Sequence, residues 1–184
     1  MRCSECLADW KSRNEKLVNR LLLAVEGLDE ETLNRSSVSG VWSPAQVVEH
    51  MVLAHPPYLK TITDALPRAI ADRGDSPVSH SFFGRLILKG VGPGGKAPVP
   101  KALRARETRV PLSIVDEWRA QHSQLLGLIE QAAGKDLAHT PVRNPFFGFI
   151  RMNLADCFEI LTSHTEGHIA QIEERRYSPK DVRQ

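Results

Sequence analysis

Apolar side chains recur along this chain at steps of three and four, the spacing that lines one face of an α-helix. Leu7, Trp10, Leu17, Leu21, Ala24 and Leu28, with Asn14 in the same register, predict a first helix from about residue 5 to 27. A second stripe, Val48, Met51, Val52, Leu59, Ile62 and Leu66, predicts a helix running from Pro44 towards residue 68. Its start is marked by Trp42-Ser43-Pro44-Ala45-Gln46-Val47. There Ser43 can cap, Pro44 suits the first helical position, Gln46 closes a capping box, and Trp42 and Val47 are placed as a hydrophobic staple. Pro56 and Pro57 remove two amide donors and predict a bend directly after His55. Ile114, Val115, Trp118, Leu125, Leu128 and Ile129 form a third helix behind a capping start at Ser113 and Asp116, ending near Gly134. Leu154, Phe158, Leu161, Thr165, Ile169 and Ile172 form a fourth, capped by Asn153 and ending near Tyr177, just before Pro179.

Between the second and third helices, residues 70–112 hold most of the Gly and Pro punctuation, including GVGPGGKAPVP at 90–100. So long a connection is uncommon without a purpose, and two expectations follow: Ser81 to Leu88 forms a short helix, or the segment covers a functional cleft. No stretch alternates with period two between hairpin signals, so no sheet is expected. Four helices, each about 30 Å long, predict an all-α fold, a four-helix bundle with one long Gly/Pro-rich connection. At 184 residues the chain reads as a single domain, 1–184, able to bury about 70% of its unfolded surface.

Charge changes this picture only by exclusion. The formal net charge is +2 and the Lys and Arg residues are dispersed, so no nucleic-acid partner is expected. The longest apolar runs, such as Leu21 to Val25, fall far short of the roughly 20 residues that cross a bilayer, and the start MRCSECLADWK lacks a signal-peptide core. A cytoplasmic protein without membrane contact is expected. Three cysteines suit a reducing compartment. Cys3 and Cys6 form a C-x-x-C pair, but with no preceding strand and no second pair it points to neither a redox motif nor a zinc site. Cys157 reads as a small core residue.

The candidate chemistry lies in the histidines. His164 and His168 are four apart in the fourth helix, so both rings project from one face and can reach one ion about 2 Å from each. Alone, H-x-x-x-H is a weak signal that recurs by chance. His50 adds a third donor, seven residues after the Ser43 cap on a helix that can pack beside the fourth. Three nitrogens with a vacant fourth place is the ligand count of catalytic zinc sites. His50 lies to one side of its helix's apolar stripe, which suits the wall of a cleft. His55 points elsewhere, His80 is expected at the surface, and His122 needs no special role.

The segment WSPAQVVEHMVLA resembles the DinB-like signature of Trp, a capping Ser or Thr and a ligand His on the second helix. NPFFGFIRMNLADCFEILTSHTEGHIAQIEE resembles the superfamily's C-terminal signature, with its H-x-x-x-H pair followed by Ile169 and Gln171-Ile172. Together these motifs cover about 45 residues. The resemblance implies a DinB-like bundle, one metal ion held by His50, His164 and His168, and a homodimer. It also implies activities such as S-transfer from bacillithiol or related cofactor thiols, or mycothiol-dependent maleylpyruvate isomerisation. The 70–112 segment is longer than a compact member carries.

Three chemistries fit these ligands. In the first, the protein is a metal-dependent transferase acting on a small-molecule substrate, with a low-molecular-weight thiol ionised on the metal. Glu49, Glu166 and Gln171 stand close enough in sequence to support the ligands, although Glu166, two residues from His164, need not face the metal. In the second, metal-bound water hydrolyses an ester or amide; in the third, the ion stabilises a non-catalytic binding or dimerisation module. Imidazole suits zinc, nickel, manganese, iron and copper alike, so the metal is not specified, and no residue is singled out as catalytic.

Overall fold

The computed structural model describes residues 1–36, 40–92, 94–95, 98–106 and 109–176, the side chain of Arg176 excepted. α1 spans Cys3–Val25 and buries Cys3, Cys6, Trp10, Asn14, Leu17, Leu21 and Ala24. The stripe is thus the expected one, except that its first turn buries Cys3 and Cys6 while Leu7 is only half-buried. Leu28 falls past the helix end, which Gly27 turns with a φ of +71°. A four-residue α2, Glu30–Leu33, follows, with the Asp29 carboxylate accepting from the Thr32 amide at 2.7 Å. It is too short to leave a periodic signal.

α3, Pro44–Ala65, starts as its sequence predicts: the Gln46 amide donates to Ser43 Oγ at 3.2 Å, and the Ser43 amide to Gln46 Oε1 at 2.9 Å. The helix runs unbroken through Pro56 and Pro57 and continues into a 3-10 turn at Leu66–Arg68. Pro56 has no N–H to give the carbonyl of Val52, and Gln121 Nε2 of the third long helix donates to that carbonyl at 3.2 Å instead. The tertiary contact therefore repairs the helix's own defect.

Within residues 70–112, α4 forms at Phe82–Val91, capped by Ser81, whose Oγ accepts from the Gly84 amide at 2.9 Å. A 3-10 turn follows at Lys101–Leu103. α5, Ile114–Gln131, begins at Ser113, but the Ser113 side chain makes no capping bond, contrary to expectation, because its backbone is already helical (φ −58°, ψ −14°). A capping side chain needs an extended backbone to reach back to the amides.

Two strands correct the expectation of no sheet: β1, Pro141–Arg143, pairs antiparallel with β2, Arg151–Asn153, Val142 facing Met152. Three residues per strand are too few to show alternation. Asn144 closes the hairpin, its Oδ1 accepting from the amides of Phe146 and Phe147 at 2.9 Å each. α6, Leu154–Arg176, starts on the Asn153 cap, whose Oδ1 accepts from the Asp156 amide at 2.9 Å. The end expected near Tyr177 lies outside the described residues.

The protein is thus mostly helical. α3 packs on α5 and α6, α1 packs on the same two helices, and α4 lies along α6. Trp10 stacks on Phe158 at 5.3 Å, and Arg13 ties α1 to α6 through Glu159 at 3.0 Å and Glu166 at 2.8 Å. No helix among the described residues is long and apolar enough to cross a membrane.

Candidate metal centre

Where α3 faces α6, three imidazoles meet. His50 Nε2 lies 3.1 Å from His164 Nε2, which lies 3.1 Å from His168 Nε2. Ligand atoms on a tetrahedral ion with bonds near 2.0–2.1 Å stand about 3.3 Å apart, so this spacing fits a shared ion. His50, His164 and His168 are also the one group of three or more such side chains among the described residues able to hold a metal.

Proton bookkeeping supports the same conclusion. The Leu103 carbonyl, 2.6 Å from His50 Nδ1, can only accept, so Nδ1 carries the proton and Nε2 presents a lone pair. Gln171 Oε1 sits 3.1 Å from His168 Nδ1 and orients that ring the same way. His164 Nε2 therefore faces two lone pairs and can satisfy at most one of them as a donor. Nor do the rings take up protons readily. Burial lowers the pKa of His50, holds His164 well below the usual imidazole value with the neighbouring rings adding to it, and brings His168 down to about 4. Neutral nitrogens converging on one point are the donor set of a divalent cation.

The surrounding residues divide between expected and missed. Gln171 stands against the His168 ring, as its sequence position allows. Glu49 acts at one remove: it accepts from the Arg106 amide at 2.8 Å, holding the segment whose Leu103 carbonyl orients His50. Glu166 turns away to Arg13 and takes no part. Leu103 acts through a backbone oxygen, which no residue type announces in a sequence. Trp42, placed in sequence as a staple, also rests its ring 5.1 Å from that of His50.

The other histidines stay outside the cluster. His55 is buried and lies 3.3 Å from Thr165 Oγ1, and burial brings its pKa down to about 3. His80, expected at the surface, is half-buried with Nδ1 3.0 Å from Asp156 Oδ1. His122 is fully buried and stacks on Trp118 at 4.5 Å; neither ring nitrogen has a hydrogen-bond partner among the described residues. Burial brings its pKa down to about 4.

The His122 shift has a measurable consequence. In the unfolded chain the ring takes up a proton below about pH 6.5, whereas in the folded protein it does so only near 4, so stability falls as pH drops through that window and levels off beneath it. His122→Phe, which preserves the stacking, is expected to remove up to about 3 kcal/mol of that pH-dependent loss. Urea unfolding at pH 7.5 and 4.5 measures it; an undiminished loss in the variant contradicts the assignment.

The three imidazoles line a cavity of about 510 Å³. Ile87 and Val91 of α4 and Val99 and Leu103 beyond it also line this cavity, so described parts of the 70–112 stretch both form a helix and border the histidines. No charged side chain stands among the described residues that line the cavity.

No curated protein matches the chain, and neither does any solved structure. A family model does: that of the DinB superfamily, over residues 14–172.

Proposed function

The protein belongs to the DinB superfamily, and we propose on that footing that it is a metal-dependent transferase built as a four-helix bundle with residues 70–112 as its long connection. His50, His164 and His168 hold one divalent ion. A low-molecular-weight thiol is the group activated there, for transfer to an electrophilic small molecule. The observation that carries this reading is the convergence of three Nε2 atoms at the end of a cavity large enough for a substrate.

Bound by these rings, a divalent ion would hold a thiol of ordinary pKa near 8.5 as its thiolate at neutral pH. The protein's residues do the rest. Leu103 and Gln171 fix the tautomers and directions of His50 and His168, and the apolar walls keep water from the nucleophile. Hydrolysis is the weaker reading, because no carboxylate among the described lining residues stands ready as a general base for water.

The working form we propose is a single-domain cytoplasmic homodimer. Its reducing compartment is supported by three free, buried cysteines, two of them in the Cys3 and Cys6 pair. Burial pushes the Cys3 thiol up to about 11, which suits a packing role better than a redox one.

The test joins metal analysis of the purified protein to a thiol-consumption assay, using a panel of cofactor thiols and an electrophilic acceptor. Thiol loss should require the metal, cease with a chelator and return when the ion is restored. Stoichiometric metal with no thiol consumed across the panel would instead support a non-catalytic metal-binding module.

A further inference from the structure

The cavity continues well beyond the three histidines. His50, Ala54 and Tyr58 follow one another at intervals of four on α3, and all three line it. Tyr58 therefore lies about 12 Å along the helix axis from His50, two turns farther down the same wall. Leu161 of α6 faces this stretch, and Ile87 and Val91 of α4 close it from outside. Apart from the ligand end, the lining is overwhelmingly apolar.

The far end carries one directed polar group. Tyr58 Oη accepts from Asn144 Nδ2 at 3.2 Å. Asn144 has nothing to offer in return, since its Oδ1 already accepts from the Phe146 and Phe147 amides. The Tyr58 hydroxyl hydrogen thus has no acceptor among the described residues, although the side chain is nearly fully buried at 5% exposure. Burial raises its pKa, so the hydroxyl stays a donor. An anion bound here would lose its hydration with no cationic side chain among the described lining residues to replace it.

We propose that this cavity binds an uncharged, largely apolar small molecule bearing one acceptor oxygen, of the ketone, aldehyde or epoxide class, with that oxygen on the Tyr58 hydroxyl and its apolar body extending between α4 and α6 towards the histidines. The assignment rests on the proposed transferase only in making this molecule the electrophilic co-substrate. The pocket itself stands on Tyr58 and its apolar walls.

Three probes of matched shape test it by equilibrium dialysis: 2-acetonaphthone, 2-ethylnaphthalene in which a methylene replaces the carbonyl, and 2-naphthoate. Each is measured on the full chain as purified and again after chelation. The ketone should bind about tenfold more tightly than the hydrocarbon, the worth of one buried hydrogen bond, with or without metal. On chelated protein the naphthoate should bind at least tenfold more weakly than the ketone. Tyr58→Phe should erase the ketone's advantage and leave the hydrocarbon's affinity unchanged. Ala54→Leu, which fills the cavity between His50 and Tyr58, should abolish binding of all three; it serves as the deciding variant should Tyr58→Phe fail to fold. The proposal is overturned by a ketone preference that survives Tyr58→Phe, by one that vanishes on chelation and so places the oxygen on the metal, by equal or tighter naphthoate binding on chelated protein, by undiminished binding in Ala54→Leu, or by no binding of any probe. Since the chelated protein carries the decisive comparison, failure of the metal chemistry leaves a distinct signature in the thiol assay alone.

Discussion

His164→Ala is expected to weaken metal binding by more than 100-fold, the largest loss at any single position. Its Nε2 is the common neighbour of the other two, 3.1 Å from each, so its removal leaves His50 and His168 as an incomplete pair. His50→Ala and His168→Ala should lower affinity too. Gln171→Ala, which removes only the partner of His168 Nδ1, should cost about 10–100-fold while preserving one ion per chain at saturation. An ion held by the folded state alone would add about 4 kcal/mol to the stability of the wild-type chain at a thousandfold excess of metal over Kd. At the same metal concentration His164→Ala should gain at most about 1.4 kcal/mol. Metal titration with thermal unfolding reads both effects, and full occupancy in His164→Ala at wild-type affinity would refute the ligand assignment.

Asp156→Ala is expected to cost about 3–5 kcal/mol, the largest stability loss away from the three histidines. This carboxylate is fully buried and accepts from Ser81 Oγ at 2.6 Å, the Ser81 amide at 3.2 Å, the Asn153 amide at 3.0 Å and His80 Nδ1 at 3.0 Å. Burial would raise its pKa, but the bonds from His80, Ser81 and Asn153 outweigh that and hold it below the usual carboxylate value. It joins the N-terminus of α4 to that of α6, so its loss should also loosen the outer wall of the cavity.

Gly84 gives an independent check, because a Cβ there would run into the Asp156 carboxylate. Gly84→Ala should cost about 1–3 kcal/mol in the wild-type chain and distinctly less beside Asp156→Ala, where the clashing group is gone. Urea unfolding of the double-mutant cycle measures the coupling; full additivity would mean that the two positions do not touch.

Much of this molecule was legible in its sequence wherever the cause is local. The three-and-four spacing of α1, the Ser43, Pro44 and Gln46 start of α3, and the Asn153 start of α6 each depend on residues within a turn or two of one another. So does the placement of His164 and His168 on one face. The hairpin escaped because three-residue strands carry no period, and α2 because four residues carry no stripe. Ser113 misled because its composition suits a cap while its backbone does not.

What tertiary structure alone decided is the convergence of distant groups. Sequence nominated His50, but only the packing of α3 on α6 places its Nε2 at 3.1 Å from that of His164, across 114 positions of chain. The Leu103 carbonyl that sets the His50 tautomer is a backbone atom every residue possesses, selected solely by where a 3-10 turn comes to rest. Glu49 and Gln121 follow the same rule, each satisfying a backbone group brought to it by another element. Helix periodicity is written in neighbours along the chain and can be read from them. A metal cradle and its tautomers depend on separations of a few ångströms between segments far apart in sequence, and those exist only once the core has packed.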